Sequence, residues 1–472
     1  MNPSTHMWLS QLLTLSSQDV YLVGGSVRDL VIGRNDVKDI DILMPAGSDA
    51  IARVFADRIG GSFFFLDEAR KISRVVKQND HEFIQFDFAN FEGPDMQTDL
   101  GRRDFTINAM ALDLRQFIAH GSMDALIDPF HGIRDVHDKL IRVTRPEVLD
   151  DDPLRLIRAV RFYATLGFAI EDSTTEHIRR RSKRIAGPSP ERVRDELFLI
   201  LSEKQAVKHL LLLDSLGLLT VILPELEPLR GFAPGMYHVH DVLTHSFKTA
   251  GYIDAVLDEL SDFSPAYAGS VRTHLEEHLE PLIPRIAASR FACLLHDMAK
   301  PDTFTNADGH IRFHGHDNLG AEKCQFVCRR LRLSRNTEAL VSRLIKFHMR
   351  LFNLSTPGGP SRNAMYRYCR DLGDALPESL LLAQADARAT SEIMPKEKFM
   401  DTRRPMAAVL EYYYTKFLKA EAAPLVTGDD LIRMGLAPGP RFREILEEMK
   451  ERQTEGAVRN RQEALDYLEH MK

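Results

Sequence analysis

A chain of 472 residues with 44% hydrophobic and 27% charged side chains composes like a folded protein of roughly two to four domains, not like a disordered or fibrous one. Its 61 Lys and Arg against 68 Asp and Glu leave a net charge of −7, which excludes a globally basic nucleic-acid binder and permits local basic patches. Cys293, Cys324, Cys328 and Cys369 are too few for a disulfide framework and none is spaced C-x-x-C, so they are read as reduced thiols, Cys324 and Cys328 as buried ones rather than a metal site.

The opening MNPSTHMWLSQLL lacks a basic stretch followed by an apolar run and does not read as a secretory signal. Short β-rich runs at 20–23, 40–44, 63–66, 73–76 and 82–88 alternate with helical stretches and predict a compact α/β or α+β unit. After about residue 130 the strand signal vanishes. Helical periodicity then dominates 153–219, broken at Pro188-Ser189-Pro190 before a new helix over 191–201. The apolar block from Leu210 to Leu226 is interrupted by Asp214, Ser215 and Gly217 and is too short for a bilayer core of about 30 Å. A soluble, cytoplasmic protein without a membrane partner is expected. Pro224, Pro228, Gly231, Pro234 and Gly235 crowd the best candidate linker. A His-rich helical region follows over 237–390, and a helical tail over 391–472 breaks at Pro438-Gly439-Pro440.

The chemistry begins where a strand, Tyr21-Leu22-Val23, runs into Gly24-Gly25-Ser26 and the helical Val27-Arg28-Asp29-Leu30. Free amides and the helix dipole facing such a turn make an anion site, although neither the dinucleotide nor the Walker glycine pattern is present. Asp39-Ile40-Asp41 places two carboxylates on one side of a strand, where their repulsion is relieved by a cation such as Mg²⁺. A solvated turn is the plainer reading of the same pair. Asp87, in Phe86-Asp87-Phe88, offers a third carboxylate or an ordinary edge-strand residue.

Two further segments complete the pattern: Gly101-Arg102-Arg103-Asp104-Phe105-Thr106-Ile107-Asn108-Ala109-Met110, and Asp150-Asp151-Asp152-Pro153-Leu154-Arg155-Leu156-Ile157-Arg158-Ala159-Val160-Arg161-Phe162. GGSVRD, DID, RRDFTINAMA and DDPLRLIRAVRF, in that order, closely resemble the class II tRNA nucleotidyltransferase and bacterial poly(A) polymerase family, with PERVRDE at 190–196 resembling its neck motif. The resemblance covers about the first 230 residues. It implies an α+β head of the polymerase-β type over 1–130, then an all-α neck over 131–230, body and tail. It implies that Asp39 and Asp41 are catalytic and hold Mg²⁺. It also implies that Gly24, Gly25, Arg28, Arg102, Arg103, Asp152, Arg155 and Arg158 bind the nucleotide. The 3′-hydroxyl of an RNA then attacks the α-phosphate of CTP or ATP and expels pyrophosphate.

Asp152 and Arg155, three apart on a predicted helix, share a face. Cytosine and adenine pair an exocyclic amino donor with a ring-nitrogen acceptor, which a carboxylate beside a guanidinium accepts; guanine and uracil present the reverse. The family pattern has Glu where this chain has Asp151, one methylene shorter. Asp152 before Pro153 also reads as an ordinary helix cap.

Arg179, Arg180, Arg181, Lys183, Arg184, Arg192 and Arg194 stand against one acid, Glu191, and 329–350 repeats the excess against Glu338. Beside a phosphoryl-transfer head these are read as tracks for a tRNA acceptor arm, with Arg180, Arg181, Arg184, Arg192 and Arg194 as contacts. Farther on, His245, His296-Asp297 and Asp386 resemble the HD phosphohydrolase pattern, with His314, His316 and His348 as further ligands or phosphate contacts. Imidazole and carboxylate together suit Mn, Fe, Co, Ni or Zn.

The leading reading is a template-independent enzyme that builds the tRNA 3′ end as CC or CCA. A poly(A) polymerase is the alternative with the same head; an HD phosphohydrolase with a non-catalytic nucleotide- or RNA-binding head is the alternative of another class. Family members that add all of CCA carry a flexible loop between the D-x-D strand and the RRD segment. Here only the ten residues from Glu92 to Gly101 separate Phe91 from Arg102, which favours CC ends.

Overall fold

A computed structural model of the chain describes residues 3–34, 37–78, 83–233, 240–307, 310–355, 358–391 and 402–470. The chain divides into two units, one of 1–188 with 215–221 and one of 189–214 with 222–472.

The first unit is built on a seven-stranded sheet: β1 (Tyr21–Val23), β2 (Asp39–Met44), β3 (Ser62–Asp67), β4 (Ile72–Gln78), β5 (Phe83–Asn90), β6 (Ala111–Asp113) and β7 (Leu126–Ile127). Its order is β3-β4-β5-β2-β1-β6-β7, antiparallel throughout except for the parallel pair β2–β5. Period-2 alternation decides which face each residue takes. Ile40 and Ile42 of β2 and Phe86 and Phe88 of β5 are buried, and Phe55 of the helix Ser48–Ile59 meets Phe86 edge-on at 5.1 Å. The opposite face therefore carries Asp39, Asp41 and Asp87, with Asp41 and Asp87 directly paired across the strands.

The five expected strand runs are all present; β6 and β7 are additional. Beyond residue 130 the expectation of no strands is corrected by three short pairings: Leu140–Ile141 with Ala169–Ile170, His278–Glu280 with Ile283–Pro284, and Thr305–Ala307 with His310–Arg312. Strands of two or three residues are too short to show an alternation. The aspartate run does not lie on one helix either. A short turn of helix, Val148–Asp151, ends at Asp152, whose backbone is extended, and the next helix, Arg155–Leu166, starts three residues on.

The second unit is helical. Pro190–Ser202 starts as its sequence predicts, with Pro at the first turn and Ser189 Oγ accepting from Arg192 N. Arg285–Leu295 and Leu376–Ser391 are buried over almost their whole length, as central core helices must be. The expected linker is in part packed structure: Pro224–Leu229 is a 3₁₀ helix with Leu226 and Leu229 buried, while Pro234 and Gly235 lie outside the described residues. In the tail, Val426, Leu431, Ile445, Met449, Ala464 and Leu468 form a core of their own. All four cysteines are free and buried. No helix among the described residues is long and apolar enough to cross a membrane.

Candidate active site and candidate metal centre

β1 ends at Val23, and the helix Gly24–Ile32 begins at the next residue, so its first amides open beside Asp41, the residue paired with Val23. This close approach requires glycine. Gly24 has φ +67°, and a Cβ there would lie 2.6 Å from Asp41 Oδ2 and 3.1 Å from Arg103 Nη1. A cavity of about 660 Å³ opens over the same place, lined by Gly25, Arg28, Asp39, Asp41, Arg74 and Arg158 among others.

Its electrostatics are those of a cation site. Burial, then Asp87 and Asp39, push the Asp41 carboxyl up to about 6, against the pull of Arg103 and the Gly25 amide. Asp39 is likewise raised, first by burial and then by Asp87 and Asp29, with Arg74 opposing. Asp87 itself is engaged by a bidentate Arg74 at 2.6 and 2.7 Å, so the third carboxylate is already neutralised and two remain for an ion. Two like-charged carboxylates side by side fit a divalent cation with oxygen ligands.

The Arg28 side of the cavity is held by a network that no single motif of the sequence displays. Arg28, 9% exposed, donates from Nη1 to Asn108 Oδ1 at 2.8 Å and from Nε to Asp29 at 3.0 Å. Asn108 Nδ2 donates to Asp104 Oδ1 at 3.1 Å, and Asp104 Oδ2 accepts from Arg158 Nε and Nη2 at 2.9 and 2.8 Å. Despite full burial, Arg158, Asn108 and the Phe105 amide hold the Asp104 carboxyl down to about 2. Phe162 lies among three guanidinium groups, with Arg161 at 4.1 Å from its ring centre and Arg28 and Arg158 each at 5.4 Å. Asp104 and Asn108 stand four apart in RRDFTINAM, a spacing that was the available signal.

Gly24, Gly25, Arg28, Asp39, Asp41 and Arg158 thus gather at one place. Arg102, Arg103 and Arg155 line an adjoining cavity of about 180 Å³ beside Asp99. Arg155 is anchored by Nη1 to the carbonyl of Val148 at 3.1 Å. Asp152 lines neither cavity: its Oδ1 accepts from Leu154 N at 3.2 Å, the cap role that its place before Pro153 allowed. Asp151 pairs with Arg145 at 2.8 Å and does not brace Arg155.

Much of the basic sequence is spent on internal pairs. Arg181 and Arg184 both reach Asp150, at 3.0 and 3.2 Å, and Arg180 pairs with Glu176 at 2.7 Å. Arg194 is held by Asp195 and the carbonyl of Arg332, while Arg192 stands in the first turn of its helix. In the later run, Arg329 pairs with Glu338, Arg330 with Glu225 and Arg350 with Asp371. Free charge for phosphates is smaller than the residue count suggests.

The second unit brings His245, His296, Asp297 and Asp386 together with His316 and His348. His245 Nε2 is 3.0 Å from Asp386 Oδ1 and 3.6 Å from Asp297 Oδ2, and His296 Nε2 is 3.1 Å from Asp297 Oδ2. The Nε2 atoms of His245 and His296 and Oδ1 of Asp297 are buried without a hydrogen-bond partner among the described residues, while Oδ2 of Asp297 is paired with Lys300 Nζ at 2.6 Å. Orphaned buried donors and acceptors that converge on one point fit a metal ion. His314 is exposed and stands apart from this group.

Known proteins agree with this anatomy. Residues 20–142 match the family model described as "Poly A polymerase head domain", 167–229 "Probable RNA and SrmB- binding site of polymerase A", and 242–391 "HD domain". The chain is 33% identical over 459 residues to an A-adding tRNA nucleotidyltransferase of Deinococcus radiodurans, covering 95% of this chain and 94% of the relative. It is 31% identical over 451 residues to a CC-adding tRNA nucleotidyltransferase of Geobacter sulfurreducens, covering 95% and 91%. A solved CCA-adding enzyme in complex with CTP shares the fold, with a TM-score of 0.65 at 21% identity over 100% of this chain and 96% of that one.

Proposed function

Because the chain belongs to the tRNA nucleotidyltransferase and poly(A) polymerase family, we propose that its head adds cytidylate residues from CTP to the 3′ end of tRNA without a nucleic-acid template. The ion that Asp39 and Asp41 would hold is Mg²⁺, which supplies charge neutralisation at the reacting phosphate. Arg28, aimed by Asn108 and Asp29, and the Gly25 amide at the helix start bind the triphosphate and spread its charge as pyrophosphate leaves. The 3′-oxygen of the tRNA forms the new bond to the α-phosphorus as the α–β phosphoanhydride breaks. Arg155, which lines the smaller cavity with Arg103, offers donors for the acceptor edge of the base; Asp152, which lines neither cavity here, would take the exocyclic amine only after its bond to Leu154 N opens.

The choice of CC over CCA rests on one observation. The connection from β5 to the RRD segment is tied down along its length: Phe91 N donates to Met44 O at 2.9 Å, Glu92 N to Asp99 Oδ1 at 2.9 Å, and Asp95 caps the helix Met96–Gly101 through Thr98 N at 2.8 Å. Such a segment has no spare chain to serve as a lever over the nucleotide. Addition of the terminal A alone is the second reading, favoured by the likeness to the A-adding relative. The test offers tRNA ending at its discriminator base, or at CC, with CTP and ATP singly and together, and sequences the product ends. CC ends are expected. A added only to CC-ended tRNA establishes the second reading, and efficient CCA synthesis removes both.

The histidine centre of the second unit is assigned to a metal-dependent phosphohydrolase acting on phosphomonoesters or 2′,3′-cyclic phosphates, the chemistry of damaged tRNA ends. The double substitution of His296 and Asp297 by alanine is expected to abolish release of phosphate from such ends while leaving nucleotide addition unchanged. Equal hydrolysis by the variant overturns the assignment.

A further inference from the structure

Phe63-Phe64-Phe65, on the outermost strand of the head sheet, is more apolar than its place requires. β3 is an edge, hydrogen-bonded to β4 alone, and alternation along Ser62–Asp67 sends successive side chains to opposite faces. Phe63 and Phe65 lie under the helix Ser48–Ile59, where the Arg53 guanidinium covers them at 4.2 and 5.2 Å from the ring centres. Phe64 takes the other face and is 44% exposed, and Leu66, in the bulge that follows, is 46% exposed. The solvated face of an antiparallel sheet ordinarily carries polar residues. Packing therefore accounts for Phe63 and Phe65 and leaves Phe64 without a reason in the fold.

The register puts Phe64 on the face of the reaction. Phe64 pairs with Arg74 of β4, Arg74 with Asp87 of β5, and Asp87 with Asp41 of β2. Residues paired across strands point to the same side of a sheet, so the ring, the guanidinium and the carboxylates form one row. Strands about 4.8 Å apart put Phe64 about 14 Å from Asp41 along that row. On the opposite side of Asp41 lie β1, the Gly24-Gly25 turn and Arg28. Attacking and leaving oxygens in phosphoryl transfer are roughly in line. Pyrophosphate held by Gly25 and Arg28 departs on the β1 side, so the RNA that carries the attacking hydroxyl comes in over β5, β4 and β3.

We propose that Phe64, with Leu66 beside it, is a stacking platform for an unpaired base near the 3′ end of the RNA, upstream of the nucleotide that reacts. Single strands are held by positive charge along the backbone and by bases stacked on aromatic faces. Arg70, at the turn after β3, supplies such a charge: its side chain is 70% exposed and reaches Asp67 only at 3.8 Å. Stacking tolerates any base, which suits an enzyme whose RNA end changes with every nucleotide it adds. The proposal rests on the nucleotide-adding reading of the head and adds the place where the RNA end lies.

The test uses the full chain and tRNA carrying one added C. Phe64→Ala is expected to raise KM for this tRNA about tenfold or more, the effect of removing one base–aromatic stack, while kcat and KM for CTP stay within about twofold of wild type. The unchanged kcat shows that the variant is folded. Phe64→Trp keeps the wild-type KM, and Phe64→Leu, apolar without an aromatic face, does not. The chain's single tryptophan, Trp8, is buried, so Phe64→Trp also places a reporter on the platform. Its added emission is expected to fall when this tRNA binds and to stay when the acceptor stem ends without unpaired bases. An unaltered tRNA KM in Phe64→Ala, full recovery by Phe64→Leu, or equal quenching by the blunt stem overturns the platform. A wild-type dimer that Phe64→Ala turns into monomer overturns it as well, by giving the strand edge to a second copy of the chain. Wild-type protein that incorporates no nucleotide overturns the reading of the head, whereas incorporation at an unaltered tRNA KM overturns Phe64 alone.

Discussion

Asp41→Asn, and Asp39→Ala beside it, lower nucleotide incorporation at saturating CTP and Mg²⁺ by at least about 10³-fold, or about 4 kcal/mol of transition-state stabilisation. Their affinity for tRNA is expected to change by less than about twofold, because a carboxylate offers nothing that attracts the phosphates of an RNA. The reason for so large an effect is that neither strand offers a replacement: Asp87, the remaining carboxylate on this face, is already bound in both its oxygens to Arg74. The stability of the metal-free protein moves the other way. The Asp41 carboxyl is pushed up to about 6, chiefly by burial, so above that pH the ionised group costs the folded state free energy that the unfolded chain does not bear. Removing its charge therefore leaves the Tm of metal-free protein at pH 8 equal or higher. Single-turnover incorporation, tRNA binding by filter retention and thermal melting decide the matter. Near-normal turnover, or a variant that simply unfolds, would sink the assignment of Asp41 as ion holder.

What the sequence disclosed and what it hid follow from how local each feature is. Gly24-Gly25, Asp39 with Asp41, and Arg28 are legible because strand period and helix start act over a few residues. The β2–β5 pairing that sets Asp87 opposite Asp41, and the Arg74 that then takes Asp87, depend on two strands 46 residues apart in register and have no local signature. The link from Arg28 through Asn108 and Asp104 to Arg158 is hidden for the same reason: it joins three motifs that sequence reading treats singly. Asp152 failed the one-face argument because a proline-containing turn, not a helix, carries it. Charge counting overstated the basic tracks, since Asp150 lies in sequence 31 residues from the Arg181 it neutralises. In the second unit the four residues His245, His296, Asp297 and Asp386 were legible from their order. That His316 and His348 share one carboxylate oxygen is a property of helix ends meeting in space.

Asp104 is where fold and function are joined, and its replacement is expected to show both. The carboxylate is 6% exposed, accepts from Arg158, Asn108 and the Phe105 amide, and is held down to about 2 from the ordinary 3.8. A depressed acid contributes stability that is complete above the unfolded value and is lost as pH falls through the folded one. The window is therefore pH 4 down to 2, and the contribution above it is about 2 kcal/mol. Asp104→Asn keeps the shape and removes the charge. Urea unfolding at pH 7 is expected to show a loss of about 2 kcal/mol, somewhat less if Arg158, whose side chain is 31% exposed, turns toward water. The difference between wild type and variant should shrink below pH 4 and vanish near pH 2. Activity suffers through a different route. Asn108 loses the acceptor that fixes its amide, so it no longer aims Arg28, and KM for CTP rises about tenfold or more while Mg²⁺ dependence stays as it was. Asn108→Ala should reproduce the KM effect without the pH-dependent stability, because the Asp104–Arg158 pair survives it. A variant at Asp104 with unaltered KM, or a stability difference that persists at pH 2, would show that this buried pair braces the helix Arg155–Leu166 and has no hand in holding the triphosphate.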